Sequence, residues 1–348
     1  MTLNRRHILA ASLTLGTMNL FPGLSWAQAR KLVFATFTGS WEEAHREVIV
    51  PHFRKANGNA DIVLDPMLSV DMIAKVAAAK NSPPIDVMLM DPGPRLTLID
   101  QGLTAPFPTD SSKNYKDLLP VAQLPEGPGI FFQAVGITYN PEKVKTPPTS
   151  WDDLWKPEYK GRVGITNMNS TLGTAFMVEL AKTRGGGEDN IDPAFAALKE
   201  LQPNLGAVAP NPGALATLFQ QGQIDISPGN FNAIQILRAR GVPVEFAKPK
   251  TGTIAFLTTA HIAKNTPNGP LAAALIESAM APEVQTKLMQ APFFVIPTNG
   301  KVKMEGDIAK MIAKDQEDLK ASFVFHDWSI INKNRAAWIE RFNKEIKV

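Results

Sequence analysis

Apolar and polar positions along the chain predict strands and helices in turn from Lys31 onward. Short runs rich in valine, isoleucine and phenylalanine are typical of buried strands, and the segments between them carry apolar residues at helical spacing. The predicted strands are residues 31–37, 62–64, 85–90, 135–139, 162–166, 224–227, 244–247 and 254–262. The predicted helices are residues 40–55, 71–80, 171–184, 192–202, 212–222, 231–241, 271–280, 284–289 and 308–344. This alternation, with two long crossings, indicates two α/β lobes, each with a mixed, mostly parallel sheet flanked by helices, and a cleft between them.

The stretch 136–165 has the most distinctive pattern. Its first strand ends at Asn140-Pro141, and Thr146-Pro147-Pro148 is extended because each proline fixes its own backbone and disfavours helix in the residue before it. Ser150 then caps a short helix with two aspartates in its first turn. Lys160-Gly161 turns the chain into the next strand.

The order of these motifs resembles that of a known family. A strand ending G-I-T-Y-N, followed by P-T-S-W-D-D-L and a K-G-R turn, is similar to the bacterial extracellular solute-binding proteins of ABC importers. Within that family, the branch with spermidine/putrescine-binding and ferric-iron-binding proteins is the most similar. The resemblance implies a two-lobed periplasmic-binding-protein fold of type II. Lobe 1 would be 30–135 plus 263–305 and lobe 2 would be 136–262, with C-terminal helices at 306–348 bracing both.

The resemblance also implies a mode of action. Hinge motion would close the cleft on a small-molecule solute, and the closed form would dock on an inner-membrane ABC permease that works with an ATPase. The protein is expected to be a monomer without cofactor, metal or nucleic-acid partner. A ligand-sensing receptor would use the same cleft, so the sequence leaves the roles of importer and sensor both open.

Residues 1–29 are expected to be a signal peptide rather than part of the fold. Arg5 and Arg6 precede an apolar run at 8–20 that is too short to span a bilayer, and Ala27-Gln28-Ala29 is a cleavage signal. The segment Asn4–Leu9 also resembles a twin-arginine signal, which leaves the export route open. Cleavage would remove two positive charges, lower the formal charge from +3 to +1, and release a periplasmic protein that begins at Arg30.

Composition excludes several classes of protein. The chain has no cysteine, which excludes disulfides, thiolate chemistry and a lipid-anchored N-terminal cysteine. The nearly neutral mature chain has no strong field to attract nucleic acid. The sequence contains neither the G-x-S-x-G nor the H-E-x-x-H motif, and its histidines have no recognisable catalytic partner, so we do not expect an enzyme.

The first candidate binding loop is Thr38-Gly39-Ser40-Trp41, at a turn from strand to helix where backbone N–H groups favour a polar ligand. Ser40 and Glu43 have the spacing of a capping box, which gives Ser40 a structural role. Trp41 fits a core anchor and a pocket wall equally well, and the resemblance favours the pocket. Glu42 and His45 have the spacing of a helical metal pair, but a solvated, charged helix face is the favoured interpretation.

Two further strand ends carry candidates. Asp91 and Gly93 follow the strand 85–90, and ligands of open α/β sheets bind outside such ends. Asp91 could equally cap the following helix. Asn169, Ser170 and Thr171 begin the helix after strand 162–166, where a carboxylate or phosphonate could bind, or where Asn169 or Ser170 serves as a plain N-cap. The resemblance implies further cleft residues at Asn230 or Phe231, Phe256, Thr258 and Phe294.

The residues at these positions bear on the ligand. Polyamine binders neutralise buried ammonium groups with several carboxylates, whereas the matching positions here carry Thr258, Asn169 and Ser170. Iron binders use paired tyrosines, whereas the matching loop carries Asn230-Phe231. We therefore expect a small polar or anionic organic solute with an apolar or aromatic body. If Asp91 faces the cleft, a single amine becomes credible, and amine or polyamine binding is the alternative.

Overall fold

The computed structural model describes residues 31–58 and 60–346. The predicted signal peptide, residues 1–29, lies outside the described residues.

The described residues form twelve strands, most of them rich in the β-branched and aromatic side chains that pack well on a pleated surface. They are β1 (Leu32–Thr36), β2 (Ile62–Pro66), β3 (Val87–Met90), β4 (Thr104–Ala105), β5 (Gly129–Tyr139), β6 (Val163–Thr166), β7 (Leu205–Ala209), β8 (Ile226–Asn230), β9 (Glu245–Ala247), β10 (Thr253–Ala263), β11 (Ile296–Pro297) and β12 (Phe323–Val324).

Helices follow most of the strands. They are α1 (Ser40–Ala44), α2 (Val50–Ala56), α3 (Ser69–Ala78), α4 (Pro92–Asp100), α5 (Thr171–Thr183), α6 (Asp192–Leu201), α7 (Pro212–Gln220), α8 (Phe231–Ala239), α9 (Gly269–Met280), α10 (Pro282–Met289), α11 (Gly306–Met311), α12 (Gln316–Ser322) and α13 (Trp328–Glu345). A π-helical turn, His45–Ile49, joins α1 to α2, so the predicted helix 40–55 is continuous.

The sheet has a parallel group of strands at each end and two long antiparallel strands between them. Its order is β2-β1-β3-β10-β5-β8-β6-β7. β1 pairs in parallel with β2 and β3, and β6 pairs in parallel with β7 and β8. β5 and β10 have 11 residues each and pair antiparallel with each other. The predicted α/β fold is confirmed, and the crossing strands are where the two parallel groups meet.

Some predicted boundaries were wrong. The strand predicted at 135–139 begins six residues earlier, at Gly129, and it is buried along its whole length. The tail predicted as helical at 308–344 is interrupted by β12, which pairs in parallel with β10. This pairing could not be read from local sequence, because a two-residue strand exists only through its partner.

The C-terminal helix α13 contacts both parts of the fold. Asn332 Nδ2 donates to the carbonyl of Gly93 in α4 over 2.7 Å. On the other side, Arg335 donates to Thr174 Oγ1 and to the carbonyls of Met168 and Asn169, which belong to the loop and helix after β6. The helix thus connects the end of β3 with the end of β6.

Replacing Arg335 by methionine should lower the free energy of unfolding by about 2–4 kcal/mol, because the buried Met168 carbonyl, the part-buried Asn169 carbonyl and the Thr174 hydroxyl lose a charged donor. Arg335 is 7% exposed. Lys333→Met is the matched control, since Lys333 is exposed on the same helix. Urea unfolding of both variants measures the difference, and equal midpoints for them would contradict this role of Arg335.

Candidate ligand-binding site

Polar side chains from both parallel groups gather at the carboxyl ends of their strands. Thr38 follows β1 and Asp91 follows β3 in the first group. Ser170 follows β6, and Asn230 ends β8, in the second group. In open α/β sheets a ligand binds outside these ends, where loop backbone and helix N-termini face a crevice. The structure brings the two sets of ends together around shared cavities.

The first of these, the Asp91 cavity, encloses about 440 Å³ of space, part of it open to solvent. Its polar groups come from loops on both sides, and its apolar surface is aromatic and aliphatic. It is lined by Phe37, Thr38, Trp41, Leu68, Asp91, Gln133, Ser170, Thr171, Leu172, Pro212, Asn230 and Phe256.

A second space, the Arg240 cavity, adjoins it and shares Thr38, Trp41, Pro212 and Asn230. It comprises about 680 Å³ of space, part of it open to solvent, and Gly39, Ser40 and Arg240 also line it. Two contacts cross it. Asn232 Nδ2 donates to Ser40 Oγ over 3.2 Å, and Arg240 Nη2 lies 2.8 Å from each carboxylate oxygen of Glu43. The α1 and α8 sides therefore touch.

The Asp91 carboxylate lines the cavity and does not cap α4. Asp91 is the N-cap residue of α4, but its side chain makes no capping hydrogen bond. Instead it accepts from Gln133 Nε2 over 3.0 Å and from the Thr171 side chain. Burial raises the pKa of Asp91 to about 6, although these hydrogen bonds and the charge of Arg335 oppose the shift.

A buried amide, that of Gln133 on β5, orders the polar groups of the cavity. Gln133 Nε2 also donates to Thr258 Oγ1 over 2.7 Å, and Gln133 Oε1 accepts from Asn230 Nδ2 over 2.7 Å. Sequence analysis missed this residue. The sequence signal was Gln133 itself, the one polar side chain in the apolar run Gly129–Val135. Glutamine is uncommon in a fully buried strand.

Trp41 is both a pocket wall and a core residue. It lines both cavities but is only 7% exposed, and its ring stacks on Phe131 at a centroid distance of 4.4 Å. The two interpretations that the sequence left open are therefore compatible.

Two predictions at this loop were wrong. Ser40 does not form a capping box, because the N-cap is Gly39, whose φ of 75° turns the chain into α1, and Ser40 Oγ is bonded to Asn232. His45 is not on a solvated face. It is fully buried, its Nδ1 is bonded to the Trp41 carbonyl, and burial lowers its pKa to about 4 by disfavouring the imidazolium.

Several predicted site residues lie away from both cavities. Phe231 is 1% exposed and packs edge-on against Phe246 and Phe294, so these rings belong to the core. Gly93 lies against the Trp328 ring, where an added Cβ would approach to 2.3 Å.

Two of the predicted polar site residues do not line either cavity. Asn169 is exposed, and its carbonyl accepts from Arg335. Thr258 is fully buried behind the cavity and contributes through Gln133. The other predicted residues line at least one cavity: Thr38, Gly39, Ser40, Trp41, Asp91, Ser170, Thr171, Asn230 and Phe256.

Within the described part of the chain, no group of three or more His, Asp or Glu side chains is placed to hold a metal ion. No helix there combines the length and apolar character needed to cross a bilayer.

Solved structures share this fold over nearly the whole chain. A periplasmic binding protein from Actinobacillus pleuropneumoniae with fructose-6-phosphate bound has a TM-score of 0.75 at 21% identity and covers 92% of this chain and 100% of its own. A periplasmic thiamin-binding protein has a TM-score of 0.75 at 18% identity, with 92% and 98% covered. The predicted two-lobed fold is confirmed.

Curated relatives are similar over shorter spans. The spermidine/putrescine-binding periplasmic protein of Escherichia coli is 28% identical over 180 residues, which are 49% of this chain and 50% of the relative. The chain thus spans about half the length of that relative. A putative 2-aminoethylphosphonate-binding periplasmic protein of Salmonella typhimurium is 23% identical over 229 residues, which are 63% of this chain and 64% of that protein.

A family model described as bacterial extracellular solute-binding protein matches residues 82–334. This span includes Asp91, Gln133, Ser170 and Asn230 from both sides of the cleft. The chain belongs to the family of bacterial extracellular solute-binding proteins.

Proposed function

We propose that the chain is the substrate-binding component of an ABC importer. It captures a small polar organic solute in the periplasm by closing its cleft and delivers the solute to an inner-membrane permease that works with an ATPase. Membership of the family, the names of the curated relatives and the polar groups that meet from both lobes support this function. The predicted leader supports export, and the fold suits a monomeric binding protein rather than an enzyme.

The proposal about the solute rests on Asp91. Its carboxylate lines the cavity, and burial disfavours its ionisation and raises its pKa to about 6. An ammonium group placed beside it would stabilise the ionised form and form a charge-assisted hydrogen bond. The solute therefore carries an amino group, which is the case that the sequence left open if Asp91 faced the cleft.

A single ammonium fits this cavity better than a polyamine. Of the described residues that line the Asp91 cavity, Asp91 is the one carboxylate. Glu43 lines the neighbouring cavity, but it is already paired with Arg240. Each further buried ammonium would need a carboxylate of its own. The rest of the solute would contact Trp41, Phe256 and Leu172, which offer apolar walls.

A thermal-shift screen of monoamines, amino acids, aminophosphonates, carboxylates, sugars and polyamines tests the proposal. A monoamine at 100 times its dissociation constant should raise the stability by about 2.7 kcal/mol. A response to spermidine or putrescine alone would overturn the proposed single-ammonium solute. A response only to carboxylates or sugars would contradict the proposal that Asp91 recognises an ammonium group of the solute.

Asp91→Asn should lower the affinity for a bound monoamine at least tenfold (roughly 1.5–3 kcal/mol), because it removes the charge but keeps the shape. Wild-type affinity should fall about tenfold per pH unit below pH 6, where Asp91 takes up a proton, and the variant should lack this dependence. Isothermal titration calorimetry from pH 5 to pH 8 measures both effects.

The same variant should stabilise the ligand-free protein at pH 7.5. The folded pKa of Asp91 lies above its ordinary value, so the stability that wild type has at pH 4 is lost as the pH rises through about 6. Asp91→Asn removes this loss. Its free energy of unfolding at pH 7.5 should exceed that of wild type by about 1–3 kcal/mol, and this difference should fall to zero near pH 4. Urea unfolding at both pH values gives the comparison, and a destabilised variant at pH 7.5 would contradict the desolvation of Asp91.

Trp41→Ala should lower both the affinity, by about tenfold, and the free energy of unfolding, by about 3–5 kcal/mol, because Trp41 is wall and core at once. Trp41→Phe keeps an aromatic face on Phe131 and should retain most of both. Trp338→Ala is the control: Trp338 is 8% exposed but lies on α13 and lines neither cavity. Trp338→Ala should lower the free energy of unfolding but leave the affinity unchanged. If it lowered the affinity as much as Trp41→Ala does, the specific role of Trp41 would be disproved.

A further inference from the structure

The Arg240 cavity continues the Asp91 cavity away from the Asp91 carboxylate. Thr38 and Trp41 are among the residues that line both spaces, whereas Asp91 lines the first and Arg240 lines the second. The Arg240 cavity is the larger of the two, at about 680 Å³ with part of it open to solvent. A solute whose ammonium group lies at Asp91 can therefore extend past Trp41 into a second space with its own chemistry.

Two hydroxyl groups of this second space have hydrogen atoms that are free to donate. Ser40 Oγ accepts from Asn232 Nδ2 over 3.2 Å and donates to no acceptor among the described residues. The Thr38 hydroxyl has no hydrogen-bond partner within the described part of the chain. Since a hydroxyl donates one hydrogen bond whatever it accepts, both groups can donate to an oxygen atom of the solute.

Arg240 supplies the cation of this cavity. Its Nη2 lies 2.8 Å from each carboxylate oxygen of Glu43, and its Nε and Nη1 have no partner in the residues that the structure describes. A guanidinium has its N–H donors in one plane, so it can hold Glu43 with one nitrogen and an oxyanion with the others. The Arg240 side chain is 51% exposed, which limits the contribution of such a pair.

Either charged group of this cavity would attract the far end of a solute, but the existing contacts favour an anion. Both oxygens of Glu43 already contact Arg240, so a second ammonium would have to displace a guanidinium. An oxyanion needs no displacement, because it takes the free N–H groups of Arg240 and the hydrogens of Ser40 and Thr38. Repulsion by the Glu43 carboxylate opposes the oxyanion, so Glu43 limits its affinity.

We propose that the solute is an ω-amino acid or ω-aminophosphonate, whose anionic end binds in the Arg240 cavity while its ammonium lies at Asp91. The ammonium end rests on the proposed function; the anionic end rests on the free donors of the Arg240 cavity. Because the two charged residues line different cavities, α-amino acids are disfavoured, since their ammonium and carboxylate share one carbon. The methylenes of the solute would contact Trp41, which lines both spaces.

Titration calorimetry at pH 7.5 compares glycine, 3-aminopropanoate, 4-aminobutanoate and 5-aminopentanoate with the n-alkylamine and the diamine of equal length. The best of the longer amino acids should bind roughly tenfold more tightly than glycine, because it reaches both charges and buries methylenes. It should bind roughly five- to tenfold more tightly than its matched alkylamine, because the free donors gain an oxyanion.

The outcomes of this series separate the anion site from the proposed function. An alkylamine that binds as tightly as the amino acid would overturn the anion site and leave the proposed function intact. A diamine that binds more tightly than both would overturn the anion site and the single-ammonium solute together. Comparison of 4-aminobutanoate with 3-aminopropylphosphonate then shows which oxyanion the cavity prefers, and a preference of either over the alkylamine supports the site.

Glu43→Gln gives opposite results for the two possible far ends of the solute. It removes the repulsion and frees Arg240, so the ratio of amino acid affinity to alkylamine affinity should rise roughly two- to fivefold. The loss of a contact between α1 and α8 would weaken both ligands alike and would leave this ratio unchanged. A second ammonium held by Glu43 would instead bind more weakly to the variant, and a fall in the measured ratio would contradict the anion site.

Arg240→Gln should abolish the preference for the amino acid over the alkylamine, because it removes the cation but keeps polar donors. Arg238→Gln is the matched control, since it removes the same charge near the same end of α8. Arg238 is paired with Glu245 over 3.4 Å and lines neither cavity. This control should keep the wild-type preference, and an equal loss in both variants would show a general effect of charge and disprove the site.

An anion without an amino group tests the Arg240 cavity apart from Asp91. Millimolar pentanoate should give saturation-transfer NMR signals with wild type and with Asp91→Asn, and much weaker signals with Arg240→Gln. If no amine binds and pentanoate gives this pattern, the proposed recognition at Asp91 is wrong and the anion site stands. If wild type gives no signal, or Arg240→Gln leaves the signal unchanged, the anion site is wrong.

Discussion

The buried amide of Gln133 is the interaction on which the site depends. It lies on the long strand β5, is 6% exposed, and bonds side chains that follow or belong to β3, β10 and β8. An amide has two donor hydrogens and an acceptor oxygen, so one side chain can fix an anion, a hydroxyl and a second amide at once. Gln133 thereby holds Asp91 and Asn230, which come from the two parallel groups of strands, on one crossing strand.

The binding role proposed for Asp91 is opposed to stability. Burial disfavours its ionised form, and Gln133, Thr171 and Arg335 offset only part of that cost, so the pKa remains near 6. The contact between α1 and α8 adds little stability. The Arg240–Glu43 pair is half exposed and contributes at most about 1 kcal/mol. In the proposed function, a ligand that pairs with Asp91 supplies the free energy that favours closure of the cleft.

Local pattern was enough for the fold class and for the strand ends that carry the site. β-Branched runs and turn residues indicated alternating strands and helices, and the predicted candidates after β1, β3 and β6 line the cleft at Thr38, Asp91 and Ser170. The reason is geometric: parallel strands place their carboxyl ends at one edge, so a residue that follows such a strand has its place fixed by local sequence. Aromatic residues were less predictable, because an apolar ring suits a core and a pocket wall equally, and Phe231 and Phe294 proved to be core.

The sequence by itself determined the two α/β lobes and the polar loops between strand and helix, since these follow from side-chain periodicity and backbone preference over a few residues. Only the tertiary structure decided how those loops meet. Ser40 was expected to cap its own helix but is bonded to Asn232, which is 192 residues away. Whether Asp91 caps α4 or faces the cleft depended on Gln133, 42 residues further along the chain. Hydrogen bonds between residues so distant in sequence are set by strand pairing across the whole sheet, and no local pattern encodes them.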